Sequence, residues 1–119
     1  STQMANFRAL SDTQSYLNGL SPLRTGRWYY LVGVYDGSSA KVYLNAHLDK
    51  SAPQTGELLS VDAPLLLGRR AIGDERYFGG RIDEARVANV ARSAAWIAAE
   101  FLNVSGELVS LGTREEFIP

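Results

Sequence analysis

The fold is decided by one stretch of the chain, residues 28–44, which reads WYYLVGVYDGSSAKVYL. Two runs rich in β-branched and aromatic residues flank the tetrapeptide DGSS at residues 36–39. An Asp side chain can accept hydrogen bonds from the following backbone amides and Gly permits a positive φ, so this tetrapeptide favours a tight turn. The stretch therefore predicts an antiparallel β-hairpin from Trp28 to Leu44.

Successive side chains of a strand point to opposite faces, and both faces of the first strand of this hairpin are apolar or aromatic. One face carries Trp28, Tyr30, Val32 and Val34, and the other carries Tyr29, Leu31, Gly33 and Tyr35. This pattern predicts a central strand covered on both sides, with Trp28 and Tyr30 filling the interior. The return strand alternates as well, with Ala40, Val42 and Leu44 opposite Lys41, Tyr43 and Asn45. A second turn is predicted at residues 45–47.

Composition restricts the classes of protein to which the chain can belong. Its 119 residues are 45% hydrophobic and 21% charged, which is typical of one soluble globular domain, expected here over residues 1–119. The formal net charge of −1 gives no basic field for a nucleic acid, and the longest apolar runs are far shorter than the roughly 18 residues of a membrane span. The chain has no Cys and one His, which excludes disulfides, thiolate sites and paired imidazoles.

The whole chain contains eleven glycines, which divide it into short segments, the spacing of an all-β protein. Further strands are predicted at Gln3 to Leu10, Ser15 to Leu17, Glu57 to Val61, Leu65 to Arg69, Arg81 to Val90 and Leu108 to Leu111. A short helix is predicted after Ser93, which can cap its first turn. Apolar residues at helical spacing, Trp96, Ile97 and Phe101, are expected to dock this helix on a sheet.

Four blocks in order resemble the laminin-G-like, concanavalin A-like jelly-roll modules of extracellular and bacterial surface proteins. They are GRWYYLVGVYDG at residues 26–37, KVYLN at 41–45, YFGGRIDEARV at 77–87 and NVARSAAWIAAEF at 89–101. The resemblance implies an all-β, antiparallel β-sandwich with jelly-roll topology and one short C-terminal helix. The family's turn glycine after Asn45 is Ala46 here. Residues 1–25 supply about two strands where the family has several, so the sandwich is expected to be incomplete at its N-terminus.

The resemblance also implies a function, namely a non-catalytic binding module of a secreted or cell-surface protein, typically bacterial, that recognises a carbohydrate or another surface polymer. The candidate ligand-binding residues are Tyr29, Tyr35, Tyr43 and Tyr77, because aromatic rings stack on the C–H faces of sugars. The alternative is that these tyrosines fill the sandwich. The alternative function is a structural module without a small ligand, completed by a partner strand, a neighbouring domain or a second copy of the chain.

Asp83 and Glu84 are adjacent on a predicted strand, so their side chains are expected on opposite faces and cannot act as an acid–base pair. A glycoside hydrolase is therefore the least favoured hypothesis. The resemblance implies that Asp83 is a ligand of a structural Ca²⁺, an ion that takes about 6–8 oxygen ligands. The alternative is that Asp83 accepts hydrogen bonds from loop amides. Glu84 and Arg86 are expected to share a face, with a buried or half-buried structural ion pair to nearby arginines.

Overall fold

A computed structural model describes residues 3–11, 13, 15–60, 62, 64–69 and 77–106. Its elements are β1 (Gln3–Ala9), β2 (Ser15–Leu23), β3 (Leu31–Tyr35), β4 (Ser39–Leu44), β5 (His47–Pro53) and α1 (Ala94–Val104). Strands β1 and β2 form one antiparallel sheet, and β3, β4 and β5 form a second in that order. Two antiparallel sheets and one short C-terminal helix confirm the predicted all-β sandwich class.

The main core lies between the two sheets. Its buried members are Ala5, Leu17, Ala40 and Val42, against which Phe7, Leu23, Tyr35 and Ala52 pack. The Phe7 ring lies directly on Gly33, where a Cβ atom would overlap it. Glycine at this position therefore allows the β1–β2 sheet to approach the three-stranded sheet closely.

Helix α1 covers the other face of the three-stranded sheet, so the molecule has three layers. The fully buried Ile97 packs with Val34 and Tyr43. The Phe101 ring stacks on Tyr30 with 5.6 Å between centroids. Trp96 was predicted to dock on the sheet together with Ile97 and Phe101. It does not lie on this docked face, since 42% of it is exposed. It lies one position before Ile97 on the helix and so faces a different direction.

Both ends of α1 follow from the sequence. The Oγ atom of Ser93 accepts a hydrogen bond from the amide of Trp96 at 3.1 Å, which confirms the predicted N-cap. Gly106, with a φ of 80°, follows the last turn, as expected where a helix ends and the chain changes direction. Among the described residues, no helix combines the length and the apolar character that crossing a bilayer requires.

The hairpin turn of residues 36–39 forms as predicted. The Oδ1 atom of Asp36 accepts hydrogen bonds from the amides of Ser38 and Ser39 at 2.9 and 2.7 Å. Gly37 has a φ of 89°. The second turn also forms, and Asn45 and Ala46 both adopt positive φ, at 50° and 67°. Ala46 therefore takes the left-handed conformation that the family's glycine takes more easily.

The first hairpin strand does not start at Trp28 as predicted, and among the described strands it is not central. In the described part of the sheet β4 is central, and β3 starts at Leu31 because its partner strand ends at Leu44. Tyr30 bonds instead to the turn: its amide donates to Oδ1 of Asn45 at 2.9 Å, and its carbonyl accepts from the Asn45 amide at 2.8 Å. Trp28 lies before this last contact and is 63% exposed, so it does not fill the interior.

The other strand predictions have mixed outcomes. Those at the N-terminus are confirmed as β1 and as a longer β2. The strand predicted over residues 81–90 is wrong, because Glu84 has a φ of 55°, which breaks the extended backbone, and every residue in this segment is exposed.

No strand forms over the described residues of 57–61 and 65–69. They make single backbone contacts, from the Leu59 amide to the Leu10 carbonyl at 2.9 Å and a bridge between Arg69 and Tyr77. Isolated contacts of this kind do not make a ladder. The predicted strand at residues 108–111 lies outside the described residues.

Candidate ligand-binding site

The register of β3 and β4 separates two of the four candidate tyrosines. Tyr43 pairs with Val32 and Tyr35 pairs with Ala40. Because directly paired residues share a face, Tyr43 points towards α1 and Tyr35 towards the β1–β2 sheet. Tyr43 is 6% exposed, and the half-buried Tyr35 donates its hydroxyl proton to the Gly56 carbonyl. Tyr35 and Tyr43 therefore help to fill the core, which was the alternative to ligand binding.

Tyr29 precedes β3 and is half-buried. Its hydroxyl accepts a hydrogen bond from the backbone amide of Arg24 at 2.9 Å. This bond closes the loop between β2 and β3. The three tyrosines from the hairpin region therefore do not form one aromatic platform.

Tyr77 is the candidate tyrosine that faces solvent. It is 62% exposed, and its neighbour Phe78 is 59% exposed. Together with Gly68, Arg69 and Ile82 they line an open cleft of about 450 Å³. We call this the Tyr77 cleft.

Local backbone contacts hold the Tyr77 cleft together. The Phe78 amide donates to the Gly68 carbonyl at 2.7 Å, next to the bridge between Arg69 and Tyr77. The Arg69 guanidinium lies 5.8 Å from the centroid of the Tyr77 ring, within the range of a cation–π contact. The cleft thus offers aromatic faces beside a group that donates several hydrogen bonds.

Asp83 and Glu84 are not on a strand, and each has a structural contact. Oδ1 of Asp83 accepts a hydrogen bond from the Glu84 amide at 2.9 Å. Accepting hydrogen bonds from loop amides was the alternative to metal binding for this residue. The predicted pairing of Glu84 forms, with Arg86 Nη2 at 2.8 Å from Glu84 Oε2, but both residues are exposed, so the predicted burial of this pair is wrong. Arg86 also pairs with Glu100, which joins this segment to α1.

The described residues do not assemble a calcium site around Asp83. They contain no group of three or more His, Cys, Asp or Glu side chains placed to hold a metal ion. One carboxylate supplies few of the oxygens that Ca²⁺ needs. Metal binding by Asp83 therefore stays a prediction.

Sequence reasoning did not single out Asp49, which joins the two sheets. From β5 its carboxylate accepts hydrogen bonds from the Leu20 amide at 2.8 Å and from the Ser21 hydroxyl at 2.6 Å, both on β2. Burial raises the pKa of Asp49, but the hydrogen bonds from Ser21 and Leu20 outweigh burial and leave this pKa below its ordinary value. Gly19 makes room for the carboxylate, because a Cβ there would overlap it. Because Asp49 and its partners on β2 lie nearly thirty positions apart, no local sequence pattern indicated this contact.

Comparisons with known proteins agree with this fold. A laminin G-type family model of the concanavalin A-like lectin/glucanases superfamily matches residues 2–98. No curated protein matches the chain. The crystal structure of an S-layer domain-containing protein from Clostridium thermocellum (residues 221–444) is similar, with a TM-score of 0.60 and 19% identity over 74% of this chain. The match covers 45% of that crystallised chain, and at this identity it establishes similarity of fold.

Proposed function

Because this chain belongs to the concanavalin A-like lectin/glucanases superfamily, we propose that it is a non-catalytic binding module of a secreted or cell-surface protein. Its ligand is a carbohydrate or another surface polymer. The similarity in fold to an S-layer domain-containing protein supports the cell-surface location. A fold does not determine function, so the proposal depends on a site.

The observation that carries the proposal is the exposed aromatic pair of the Tyr77 cleft. Tyr and Phe rings buried in a core stabilise the fold, whereas Tyr77 and Phe78 leave more than half of their surface in solvent. An aromatic ring of this kind can stack on the C–H face of a sugar, and Arg69 can donate hydrogen bonds to its hydroxyl or carboxylate oxygens. Of the four candidate tyrosines, the proposal therefore rests on Tyr77.

A glycan array tests this proposal with a matched pair of variants. Tyr16 on β2 is the control, since it is 61% exposed and lies under the Arg8 guanidinium at 4.4 Å, as Tyr77 lies beside Arg69. We expect the wild type and Tyr16→Ala to bind the same glycans, and Tyr77→Ala to lose at least about tenfold in affinity, the effect of roughly 1.4 kcal/mol. A silent array, or equal binding by both variants, would contradict the proposal.

A second function, as an interaction module without a small ligand, is favoured by exposed aliphatic side chains. Leu65 is 76% exposed and Val87 is 79% exposed, on segments that have no ladder partner in the described part of the chain. This function requires such side chains to form one contiguous patch, since contiguous exposed apolar patches mark interaction sites. This function predicts dimers in sedimentation experiments that dissociate in a Leu65→Ser, Val87→Ser double variant. A silent array together with such dimers would favour it.

The proposal of a non-catalytic module has its own test. The carboxylates of Asp83 and Glu84 are engaged with a backbone amide and with Arg86 rather than with each other. We expect incubation with laminarin and other polysaccharides to release no reducing sugar. Release of reducing sugar that purified protein sustains over many turnovers would make the chain a glycoside hydrolase instead.

The calcium prediction is tested by melting temperature. A ligand that binds only the folded state raises stability by RT ln(1 + [L]/Kd). If Asp83 is a calcium ligand, millimolar calcium raises the Tm above its value in chelator, and Asp83→Ala removes the rise. An unchanged Tm would contradict calcium binding by Asp83.

A further inference from the structure

A second cleft lies on the outer side of α1, between the helix and the coil that carries Arg86. Its volume is about 310 Å³, at the lower end of the range for small-molecule sites. The helix contributes one stripe at the spacing i, i+3, i+4 and i+7, which consists of Trp96, Ala99, Glu100 and Asn103. We call this the α1 cleft. It shares no residue with the Tyr77 cleft.

Ion pairs fix the polar side of the α1 cleft. The Glu100 side chain is only 8% exposed and pairs with Arg86, which also pairs with Glu84 at 2.8 Å. A guanidinium held between two carboxylates has a restricted orientation. The donors and acceptors around the cleft are therefore positioned before any ligand arrives, which lowers the entropy lost on binding.

The apolar side of the α1 cleft is the indole of Trp96, which is 42% exposed. The Arg92 guanidinium lies over this ring at 4.5 Å from its centroid and restrains it by a cation–π contact. The small side chain of Ala99 leaves room between Trp96 and Asn103. The exposed Asn103 amide can both donate and accept a hydrogen bond.

The charges around the α1 cleft select the type of ligand. The charged residues that line the cleft are Arg86 and Glu100, which pair with each other, so the lining carries no formal excess of either sign. An uncharged ligand with an apolar face and several hydroxyl groups matches the indole on one side and the Asn103 amide and Arg86 guanidinium on the other. A pyranose ring has both properties.

We propose that the α1 cleft binds a single neutral pyranose unit, with the sugar against Trp96 and its hydroxyls bonded to Asn103 and to the half-exposed Arg86 guanidinium. This inference shares its ligand class with the proposed function, but it rests on different residues. Binding here would give the module two separate contacts with one polysaccharide, and two linked contacts raise avidity above the affinity of either.

Nuclear magnetic resonance titration of the whole chain tests the inference. The probes are the methyl glycosides of glucose, galactose, mannose and N-acetylglucosamine at rising millimolar concentrations. We expect at least one of them to shift the Trp96 indole N–H and the Asn103 side-chain amide signals in a saturable way. Asn103→Ala should weaken this binding about tenfold, because it removes a polar contact from an exposed position that does not support the core.

Two control variants locate the binding in the α1 cleft. Leu102→Ala, at an exposed position on α1 outside the cleft, should leave the titration unchanged. Tyr77→Ala should also leave it unchanged, so that failure of the Tyr77 cleft on the array and failure of the α1 cleft are distinguishable. The inference is overturned if none of the four glycosides gives a saturable shift, or if Asn103→Ala titrates like the wild type.

Discussion

Residues 3–56 and the described residues of 57–90 are both rich in apolar side chains, but of the two only the first contains apolar side chains that are buried. The first region contains all five strands and most of the buried residues. In the second, large apolar side chains are more than half exposed, namely Leu58, Leu59, Leu65, Leu67, Tyr77, Phe78, Ile82, Val87 and Val90. The comparison indicates that an apolar run becomes a strand when a ladder partner and an opposing face are both available.

The largest expected difference between the regions concerns leucine truncation. Leu17 is 2% exposed between the two sheets, whereas Leu65 is 76% exposed. We expect Leu17→Ala to lower the free energy of unfolding by about 2–5 kcal/mol, because it opens a cavity in the core. Leu65→Ala should change it by no more than about 0.5 kcal/mol. If urea unfolding gave equal losses in the free energy of unfolding for Leu17→Ala and Leu65→Ala, the described residues of 57–90 would have to pack against a core in solution.

Glycine substitution sharpens the same comparison. Gly33→Ala places a methyl group against the Phe7 ring and should cost about 1–3 kcal/mol, whereas nothing lies within 4 Å of a Cβ at Gly79. Chemical denaturation of the two variants measures the difference. Adding Phe7→Leu to Gly33→Ala should recover part of the loss, and a double variant that simply sums both losses would argue against the close approach of the sheets.

The carboxylate that joins β5 to β2 gives a pH-dependent prediction. The pKa of Asp49 is below its ordinary value in the folded protein, so its stabilisation is present above the unfolded pKa of about 3.9 and is lost as pH falls through the folded pKa. Asp49→Asn should cost about 1 kcal/mol at neutral pH. The gap between wild type and variant should close in denaturation curves recorded below about pH 4. A gap independent of pH would assign the loss to packing instead.

The smallest expected effect concerns the start of α1. Ser93→Ala removes the hydroxyl that accepts from the Trp96 amide and should lower stability by about 1 kcal/mol at most. Ser60→Ala, at an exposed position in the second region, is the matched control and should change nothing measurable. Melting curves of both variants measure the difference. Identical curves would contradict the claim that the Ser93 cap stabilises α1.

The elements that sequence predicted well are those whose signals are local. The turn at residues 36–39 depends on the Asp36 side chain and on Gly37, and the helix start depends on Ser93, all within a few residues of the structure they specify. The alternation of β4 was equally readable, because Ala40 and Val42 are buried whereas Lys41 between them is only half-buried.

The predictions that were wrong mostly concern contacts between residues that are distant in the chain. The start of β3 at Leu31 depends on where β4 ends, and the exposure of Trp28 follows from that limit. The broken strand at residues 81–90 depends on one backbone conformation, at Glu84, that no residue type there demands. The tyrosines were separated by the register between two strands, and the Asp49 contacts join residues nearly thirty positions apart. The pattern of neighbouring residues does not specify contacts between residues so far apart in the chain.

The three-layer arrangement has a consequence for synthesis on the ribosome. The described strands of the middle sheet have all been made once Pro53 is added, but the helix that covers their Val34 and Tyr43 side begins only at Ala94. At about 5–20 residues per second, these roughly 40 intervening residues take some seconds to emerge. During that interval the uncovered side is open to chaperones and to other nascent chains, so we expect translation pauses before residue 94 to reduce the yield of soluble protein.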